Sequence, residues 1–311
     1  MENKRPLLSI CIPTYNGGSK LDIALMAVSK SIKEYNDVEV VISDNASTDD
    51  TAEIISKYLQ DSRFRSYRNE SNLGFNRNMF MLIRNYARGK YCWVIGDDDF
   101  IDIDVLDNIR LFLLSNEIEY IFLEHRIVSY REYQNMKLQS RKVLLSKGSY
   151  FDCLESNVKS SNILGTFMSS SIFLKEKIQN FDYSIFSNES WTNYYSLFPN
   201  AFLMINTFKD SPCGYIDEPM LSVLIHEKAW DDKCDEMYFC HLPNLYSYIT
   251  KALGKPLPNN RACIRQEVCR RLCINIYRLK WRSIPFNLLF KALFWKETYT
   301  FIFSYIIKKI R

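Results

Sequence analysis

The sequence predicts an α/β protein with a Rossmann-like, mostly parallel sheet flanked by helices and followed by a C-terminal helical extension. Strand and helix patterns alternate through the first hundred residues, and polar residues follow each of these strands. Such alternation is typical of parallel strands joined by right-handed helical crossovers. The length of 311 residues is sufficient to bury a core without disulfides or a structural metal.

Four strands and three helices are predicted before residue 100. The strands are short apolar runs, and the helices carry apolar residues at spacings of three and four. The strands cover Leu7–Tyr15, Val38–Asp44, Phe64–Arg68 and Tyr91–Ile95, and the apolar faces of the helices begin at Leu21, Ile54 and Phe75. Ser47 and Asp50 are expected to form a capping box for the second helix.

The remainder of the chain mixes strands and helices. Residues 118–225 contain strand patterns at Glu119–Leu123 and Ser169–Leu174, and a helical pattern begins near Ala262. Pro285 is expected to break that helix or to start another. We therefore predict an α/β domain over residues 1–225, with halves 1–115 and 116–225, and a helical region over residues 226–311.

The C-terminal region is basic and aromatic. The chain has 40 basic and 36 acidic residues, but Arg261–Arg311 holds twelve Lys or Arg against two acidic residues. A tail of this kind predicts contact with an anionic surface. Its apolar stretches, Ile284–Trp295 and Tyr299–Ile307, favour a membrane surface over nucleic acid. We expect a cytoplasmic protein attached peripherally to the inner face of the cell membrane, since no spanning segment or signal pattern is present.

The nine cysteines do not indicate a disulfide framework. They form no Cys-x-x-Cys pair, and Cys11 and Cys92 lie within apolar runs that predict packed thiols. Cys234, Cys240 and His241 come nearest to a metal-binding pattern, but no second pair accompanies them. The cysteines are therefore consistent with a reducing compartment.

Polar residues collect after the first four predicted strands. Because the carboxyl ends of parallel strands meet at one edge, ligands bind there. Several of these residues are also good turn and cap formers. Three consecutive aspartates are different, because adjacent carboxylates repel and favour a cation such as Mg²⁺ or Mn²⁺. The clusters are Pro13–Asn16, Ser43–Asp49, Asn72–Asn78 and Asp97–Asp99.

Four ordered segments resemble the family 2 glycosyltransferases: Leu8–Asn16, Val41–Thr51, Asn72–Asn78 and Gly96–Asp99. The resemblance covers about residues 7–115. It implies the GT-A fold and transfer of a sugar, with inversion, from a nucleotide-sugar donor. Residues 1–225 would then be the catalytic domain, with a nucleotide-sugar-binding half over residues 1–115 and an acceptor half over residues 116–225. The Gly-Asp-Asp-Asp segment resembles the bacterial surface-polysaccharide branch, including abequosyltransferase-like enzymes, which implies O-antigen or capsule synthesis on a glycan or polyprenyl-linked acceptor.

The resemblance also implies roles for individual residues in donor binding. Asp44 would accept the N3–H of uracil or thymine, which favours UDP or dTDP because cytosine has an acceptor at N3. Asp98 would hold the donor ribose or the metal, and Asp99 would bind Mn²⁺ or Mg²⁺, which neutralises the leaving nucleoside diphosphate. Arg77 would face the diphosphate. The other donor-binding residues implied are Pro13, Thr14, Tyr15, Asn16, Asn45, Ser47, Asn72, Gly74 and Asp97.

An inverting transfer requires a base that deprotonates the acceptor hydroxyl. The family carries a Glu-Asp pair for this purpose, and the matching segment here is Phe186–Trp191, with Glu189 followed by Ser190. A serine cannot act as a base near neutrality, so Glu189 is the predicted base and Asp182 is the alternative. A helix cap at Glu189 is the structural interpretation of the same residue.

Three further residues are candidates for the substrate site. His226 lies where family members often carry a histidine, and its imidazole could approach the metal or the diphosphate. Tyr194 and Tyr195 could stack on a sugar, although aromatic residues more often pack in a core.

Two other functions remain open. A nucleotidyltransferase would also use an acidic metal site, but it would carry a Gly-rich basic loop where this chain has Pro13–Asn16. A catalytically degenerate transferase that binds a lipid-linked glycan is the second alternative, because the Glu-Asp pair is incomplete. No nucleic-acid partner is expected.

Overall fold

The computed structural model describes residues 5–102, 105–115, 118–129, 132, 143–156, 162–186, 193–224, 234–277, 292 and 295. The α/β prediction is confirmed, because nine strands form one sheet with helices around it. The strands are β1 (Leu8–Thr14), β2 (Val38–Asp44), β3 (Phe64–Arg68), β4 (Tyr91–Val94), β5 (Asp99–Ile101), β6 (Tyr120–Val128), β7 (Ser146–Ser149), β8 (Ser171–Leu174) and β9 (Pro212–Leu224).

Helices flank the sheet, and further helices follow the last strand in the chain. The longer ones are α1 (Gly18–Ser31), α2 (Thr51–Tyr58), α3 (Phe75–Met81), α4 (Val105–Ser115), α5 (Tyr150–Ser156), α6 (Tyr194–Leu197), α7 (Pro199–Phe208), α8 (Leu242–Leu253) and α9 (Pro258–Tyr277). One π-helical turn, Leu82–Tyr86, extends α3, and another, Met237–His241, precedes α8.

The sheet has a parallel half and a mixed half. Its strand order is β3-β2-β1-β4-β8-β6-β9-β5, with β7 also paired to β9. The first four strands in this order are parallel, whereas β8 runs antiparallel to both β4 and β6. The carboxyl ends of β1 to β4 therefore meet at one edge, as the predicted ligand site requires.

The core is continuous from the first strand to the C-terminal helix. Every residue of β1 and β2 is buried, because these strands are covered on both faces and read as apolar runs. Leu21, Leu25 and Val28 of α1 pack into the same core as Leu272 of α9. The helical region that follows β9 is thus part of one packed unit with the sheet.

Two sequence predictions require correction. The predicted strand Tyr91–Ile95 ends one residue earlier, at Val94, and Asp99 of the aspartate cluster begins a further strand, β5, which pairs antiparallel with β9. The predicted capping box at α2 is absent, because the hydroxyl of Ser47 accepts the backbone N–H of Asn16 at 2.8 Å. The N-cap of α2 is Asp50, without a side-chain cap.

The helix predicted from Ala262 begins four residues earlier, at Pro258. Its first turn is held by Glu155, whose carboxylate accepts the backbone N–H groups of Asn259 at 2.8 Å and Asn260 at 3.2 Å. This negative charge at a helix start compensates unpaired N–H groups. Pro285 lies outside the described residues, and no helix among those described is long and apolar enough to cross a membrane.

Candidate functional site

A row of side chains crosses the carboxyl edge of the parallel strands. Thr14, Asp44 and Arg68 are the last residues of β1, β2 and β3, and they are paired in register. The hydroxyl of Thr14 donates to the carboxylate of Asp97, just beyond β4, at 2.6 Å. The row therefore extends across four strands.

Asp44 is buried beneath an arginine. Its Oδ1 accepts the backbone N–H of Ser47 at 2.9 Å, and its Oδ2 accepts from Nη1 of Arg68 at 2.5 Å. The other terminal nitrogen of Arg68 donates to the carbonyl of Ser47 at 2.6 Å. The side chain of Asp44 is 3% exposed, whereas that of Arg68 is 51% exposed. The arginine is thus the accessible member of the pair.

The first loop of the edge is tied to the second. Asn16 has a positive φ of 52°, a conformation that asparagine tolerates better than most residues. Its backbone N–H contacts the Ser47 hydroxyl, and its side-chain oxygen accepts the N–H of Thr48 at 2.8 Å. The preceding residue, Tyr15, is left 47% exposed, so its ring is available for stacking on a planar ligand.

Asparagines lock the loop that follows β3. Asn45 is buried, and its side-chain oxygen accepts from the Asn69 amide and from the backbone N–H of Leu73, both at 2.9 Å. Its amide nitrogen donates to the side-chain oxygen of Asn72 at 2.8 Å. Asn45 and Asn72 thus position the loop that leads into α3, where Arg77 is exposed.

The same loop is joined to the second half of the protein. Gly74 has a φ of 83°, and its N–H donates to Asn72 at 2.8 Å. The amide of Asn76 then donates to the carbonyl of Ser196 in α6 at 2.9 Å. The start of α3, directly after this loop, therefore has a direct contact with α6.

The carboxyl group of Asp97 has a pKa above the usual value for aspartate. Burial disfavours the charged carboxylate and raises the pKa of Asp97 to about 6, although the hydrogen bond from Thr14 opposes the shift. The charge of neighbouring Asp98 raises the pKa further. The carboxyl of Asp97 can therefore change its charge close to physiological pH.

Ser169 fixes the turn that carries the aspartates. Its hydroxyl donates to Oδ2 of Asp99 at 2.5 Å and accepts the backbone N–H of Gly96 at 3.1 Å. Its carbonyl accepts the indole N–H of Trp93 at 2.7 Å. Both Asp99 and Ser169 are buried, so this arrangement is shielded from water.

Two carboxylate oxygens converge above Gly96. A Cβ atom at Gly96 would lie 2.9 Å from Oδ1 of Asp98 and 2.9 Å from Oδ2 of Asp99. Carboxylate oxygens suit Mg²⁺ or Mn²⁺, which usually retain water and bind substrate phosphates. Within the part of the chain that the structure describes, no group of three His, Cys, Asp or Glu could hold a metal. The pair therefore fits a cation whose other ligands come from elsewhere.

Two predicted site residues, Glu189 and His226, lie outside the described residues. The alternative base, Asp182, is exposed, and its carboxylate accepts the backbone N–H of Ser184 at 2.9 Å. This hydrogen bond lowers the pKa of Asp182 and weakens it as a base. Asp182 thus caps the short 3₁₀ turn that begins at Tyr183.

The remaining candidates have structural partners. Tyr194 and Tyr195 pack around Phe202, with ring centroids 6.3 Å and 5.8 Å from it. His241 is buried with Nε2 3.4 Å from the carboxylate of Glu236, and Cys240 is exposed. Cys11 and Cys92 are buried free thiols, as predicted.

The sequence interpretation missed several residues of this edge. Arg68 ends β3 opposite Asp44, so aligning the predicted strand ends would have found it. The hydroxyl of Thr51 accepts the N–H groups of Gly17 at 3.0 Å and Gly18 at 3.2 Å. Ser169 is distant in the sequence, and no local pattern indicates its contact with Asp99.

The family follows from a comparison with known proteins. The profile of glycosyl transferase family 2 matches residues 9–181, which is more than half of the chain. The chain belongs to glycosyltransferase family 2. Over 225 residues it is 31% identical to the abequosyltransferase RfbV of Salmonella typhimurium, which covers 69% of this chain and 66% of that protein. The chain thus spans slightly less than two thirds of this relative.

Solved structures of glycosyltransferases share the fold, which confirms the GT-A prediction. TarS of Staphylococcus aureus, in complex with UDP-GlcNAc, has a TM-score of 0.57 at 15% identity, covering 85% of this chain and 71% of that chain. The mannosyltransferase PcManGT of Pyrobaculum calidifontis, in complex with GDP-Man and Mn²⁺, has a TM-score of 0.58 at 15% identity, covering 96% of this chain and 84% of that chain.

Proposed function

We propose that this family 2 protein is an inverting glycosyltransferase that moves a sugar from a nucleoside diphosphate to a glycan acceptor in bacterial surface-polysaccharide synthesis. The observation that carries the proposal is the row from Arg68 to Asp97, which leads along the sheet edge to the converging carboxylates of Asp98 and Asp99. The relative RfbV is an abequosyltransferase, and TarS is a poly(ribitol-phosphate) beta-N-acetylglucosaminyltransferase.

The donor would lie along this row. Pro13, Thr14 and Tyr15 would line the base and ribose, with the exposed Tyr15 ring stacking on the base. Asp44, at the end of β2, would accept the N3–H of uracil or thymine, which is the basis for a UDP or dTDP donor. Arg77 is exposed on α3 and would contact the diphosphate by charge-assisted hydrogen bonds.

Asp98 and Asp99 would hold the divalent cation, with His226 as a further ligand. When bound, Mn²⁺ or Mg²⁺ neutralises charge that develops on the leaving diphosphate. Ser169 orients one carboxylate oxygen of Asp99 through its 2.5 Å hydrogen bond. This contact between two buried residues holds the Asp99 carboxylate in one orientation.

Glu189 would act as the base that takes the proton from the acceptor hydroxyl. The support for this role is the resemblance of Phe186–Trp191 to the segment in which the family carries its base. Glu189→Gln should lower the transfer rate on the order of 10²–10⁴-fold with donor binding intact. A near-normal rate in this variant would remove Glu189 from the mechanism.

The acceptor would be a glycan or polyprenyl-linked oligosaccharide at the inner face of the cell membrane, met by the basic, aromatic tail Arg261–Arg311. Lys and Arg side chains would reach anionic headgroups, each contributing about 1 kcal/mol near the surface. The protein should float with anionic liposomes at low salt and be released as salt rises. A full-length protein that never floats under these conditions would contradict membrane attachment.

A nucleotide screen tests the proposed function directly. Thermal stability is measured with UDP, dTDP, CDP, GDP and ADP, each with Mn²⁺ or with EDTA, since a bound ligand raises the melting temperature. We expect a pyrimidine nucleotide with Mn²⁺ to give the largest increase, and the matching nucleotide-sugar to be slowly hydrolysed. Binding without any hydrolysis or transfer would favour the degenerate transferase, and no binding would overturn the proposal.

A further inference from the structure

At the end of the row where the nucleobase would bind, the carboxylate of Asp44 already has hydrogen-bond partners within the protein. Both oxygens of Asp44 accept a hydrogen bond, one from Ser47 and one from Arg68, and the Asp44 side chain is only 3% exposed. A carboxylate in this state has little acceptor capacity left at the surface. The base would therefore meet a different group first.

That group is the guanidinium of Arg68. A guanidinium carries five N–H donors and no acceptor, and the two contacts to Asp44 and Ser47 leave three donors. Because β2 lies between β1 and β3, the buried Asp44 is flanked by two exposed side chains, Tyr15 at 47% and Arg68 at 51%. A base that stacks on Tyr15 would present its edge towards this pair.

We infer that Arg68 determines nucleobase specificity, because it covers the acceptor Asp44 and presents hydrogen-bond donors in its place. The inference rests on the proposed function, but it replaces the direct contact between Asp44 and the base that was proposed there, and it widens the expected nucleotides from UDP and dTDP to include CDP. Asp44 then acts mainly as a positioning residue that holds Arg68.

The chemistry of the two bases explains the expected direction. Cytosine has acceptors at both N3 and O2, which match a donor-only guanidinium. Uracil has acceptors at O2 and O4 but a donor at N3, so its N3–H would face other donors and lose the hydrogen bond that it makes with water in the free nucleotide. With Arg68 in place, discrimination against CDP is thus weaker than Asp44 alone would impose.

Removing the arginine should reverse this effect. In Arg68→Met the freed oxygen of Asp44 can accept the N3–H of uracil, whereas the N3 lone pair of cytosine would face a carboxylate. Dissociation constants for UDP and CDP are measured by calorimetry with Mn²⁺ on the wild-type protein and on this variant. We expect the dissociation constant of CDP divided by that of UDP to rise by about tenfold. A tenfold change corresponds to the free energy that about one hydrogen bond contributes.

Two controls separate base recognition from other effects. Arg110→Met removes an arginine paired with Asp37 through contacts of 2.9 Å and 2.7 Å, far from the edge, and should leave the ratio unchanged. Inorganic pyrophosphate with Mn²⁺ should bind equally to the wild-type and Arg68→Met proteins. If pyrophosphate binding falls as much as UDP binding, Arg68 acts on the diphosphate and the inference is wrong.

Asp44 itself provides the second test. The double variant Asp44→Asn/Arg68→Met lacks the freed carboxylate, so the shift towards UDP should disappear. If Arg68→Met does not fold, Arg68→Lys retains a charge without the forked geometry and should give a smaller shift of the same sign. Each ratio comes from one preparation, so it does not depend on the fraction of active protein.

The outcomes distinguish this inference from the proposed function. If the wild-type protein binds neither pyrimidine nucleotide, the proposed function fails. If it binds one of them but the CDP-to-UDP ratio is the same in Arg68→Met, only the role of Arg68 is wrong.

Discussion

Two carboxylate–arginine pairs join the same strands, β2 and β3, at opposite ends. At the amino end, Glu39 accepts from Arg65 at 2.7 Å, and at the carboxyl end Asp44 accepts from Arg68 at 2.5 Å. The carboxylates are similarly buried, but the arginine side chains are 18% and 51% exposed. The chemistry is shared, and only the accessibility of the cation differs.

The amino-end pair is enclosed by further partners. Glu39 also accepts the hydroxyl of Ser9 and the backbone N–H of Arg88, both at 2.6 Å. Arg65 donates to the carbonyl of Tyr86 at 2.7 Å. Neither side chain of this pair is more than 18% exposed, so a ligand has little access to it and its role is to stabilise the fold.

At the carboxyl-end pair, Arg68 has N–H groups beyond those that contact Asp44 and Ser47, and the pair lies on the same sheet edge as the Asp97–Asp99 turn, with β1 between them. The comparison teaches that a buried carboxylate with an arginine is not by itself a sign of a binding site. The distinguishing feature is a cation held in place on one side and open to solvent on the other. Variants at the amino end should thus lower the stability of the fold, and variants at the carboxyl end should change ligand binding or activity.

The largest expected effect is at the amino end. Glu39→Ala removes an acceptor from three donors and leaves Arg65 buried without its counter-ion, which should cost about 3–5 kcal/mol of unfolding free energy. Urea unfolding measures this loss. Lys57→Ala, which removes an exposed pair with Asp22 at 3.9 Å, should change stability by less than about 1 kcal/mol. Equal losses in the two variants would contradict the distinction.

A change at the carboxyl end should instead reduce activity. Asp99→Ala removes one of the two oxygens above Gly96 and should lower sugar transfer about 10²–10³-fold, since electrostatic stabilisation of the leaving group is lost. Release of the nucleoside diphosphate measures the rate. Asp61→Ala, whose carboxylate pairs with Arg63 in a turn, serves as the control. Full activity of Asp99→Ala, or of the wild-type protein in EDTA, would exclude a metal role for Asp99.

The smallest expected effect is a pH dependence of stability from Asp97. Its pKa is about 6 in the folded protein and 3.8 as the reference value, so between these values the folded state binds a proton that the unfolded state lacks. The contribution of Asp97 to stability therefore falls as pH rises from about 4 to 6. Asp97→Asn does not ionise, so its advantage over the wild-type protein should grow over this range. Unfolding in EDTA at several pH values tests this, and parallel curves would refute the raised pKa.

Much of the fold could be predicted from the sequence because the signals are local. Apolar runs specify β1 to β4, and the spacing of Leu21, Leu25 and Val28 specifies α1, so the α/β class and the shared edge follow. The predicted strands that begin near Glu119 and Ser169 also form, although β6 extends to Val128 and β8 begins at Ser171. The boundaries differ because pairing, and not composition, decides where a strand ends.

The sequence by itself determined the class, the family motifs and the clustering of Asp44 and Asp97–Asp99 at one edge, because strand period and strand direction bring these residues together. Only the tertiary structure decided how each side chain is used. Arg68 covers Asp44, Asn45 locks a loop, and Ser169 reaches Asp99 across 70 positions of the chain. A hydrogen bond depends on distance in space, and local sequence patterns contain no information about contacts between segments so far apart.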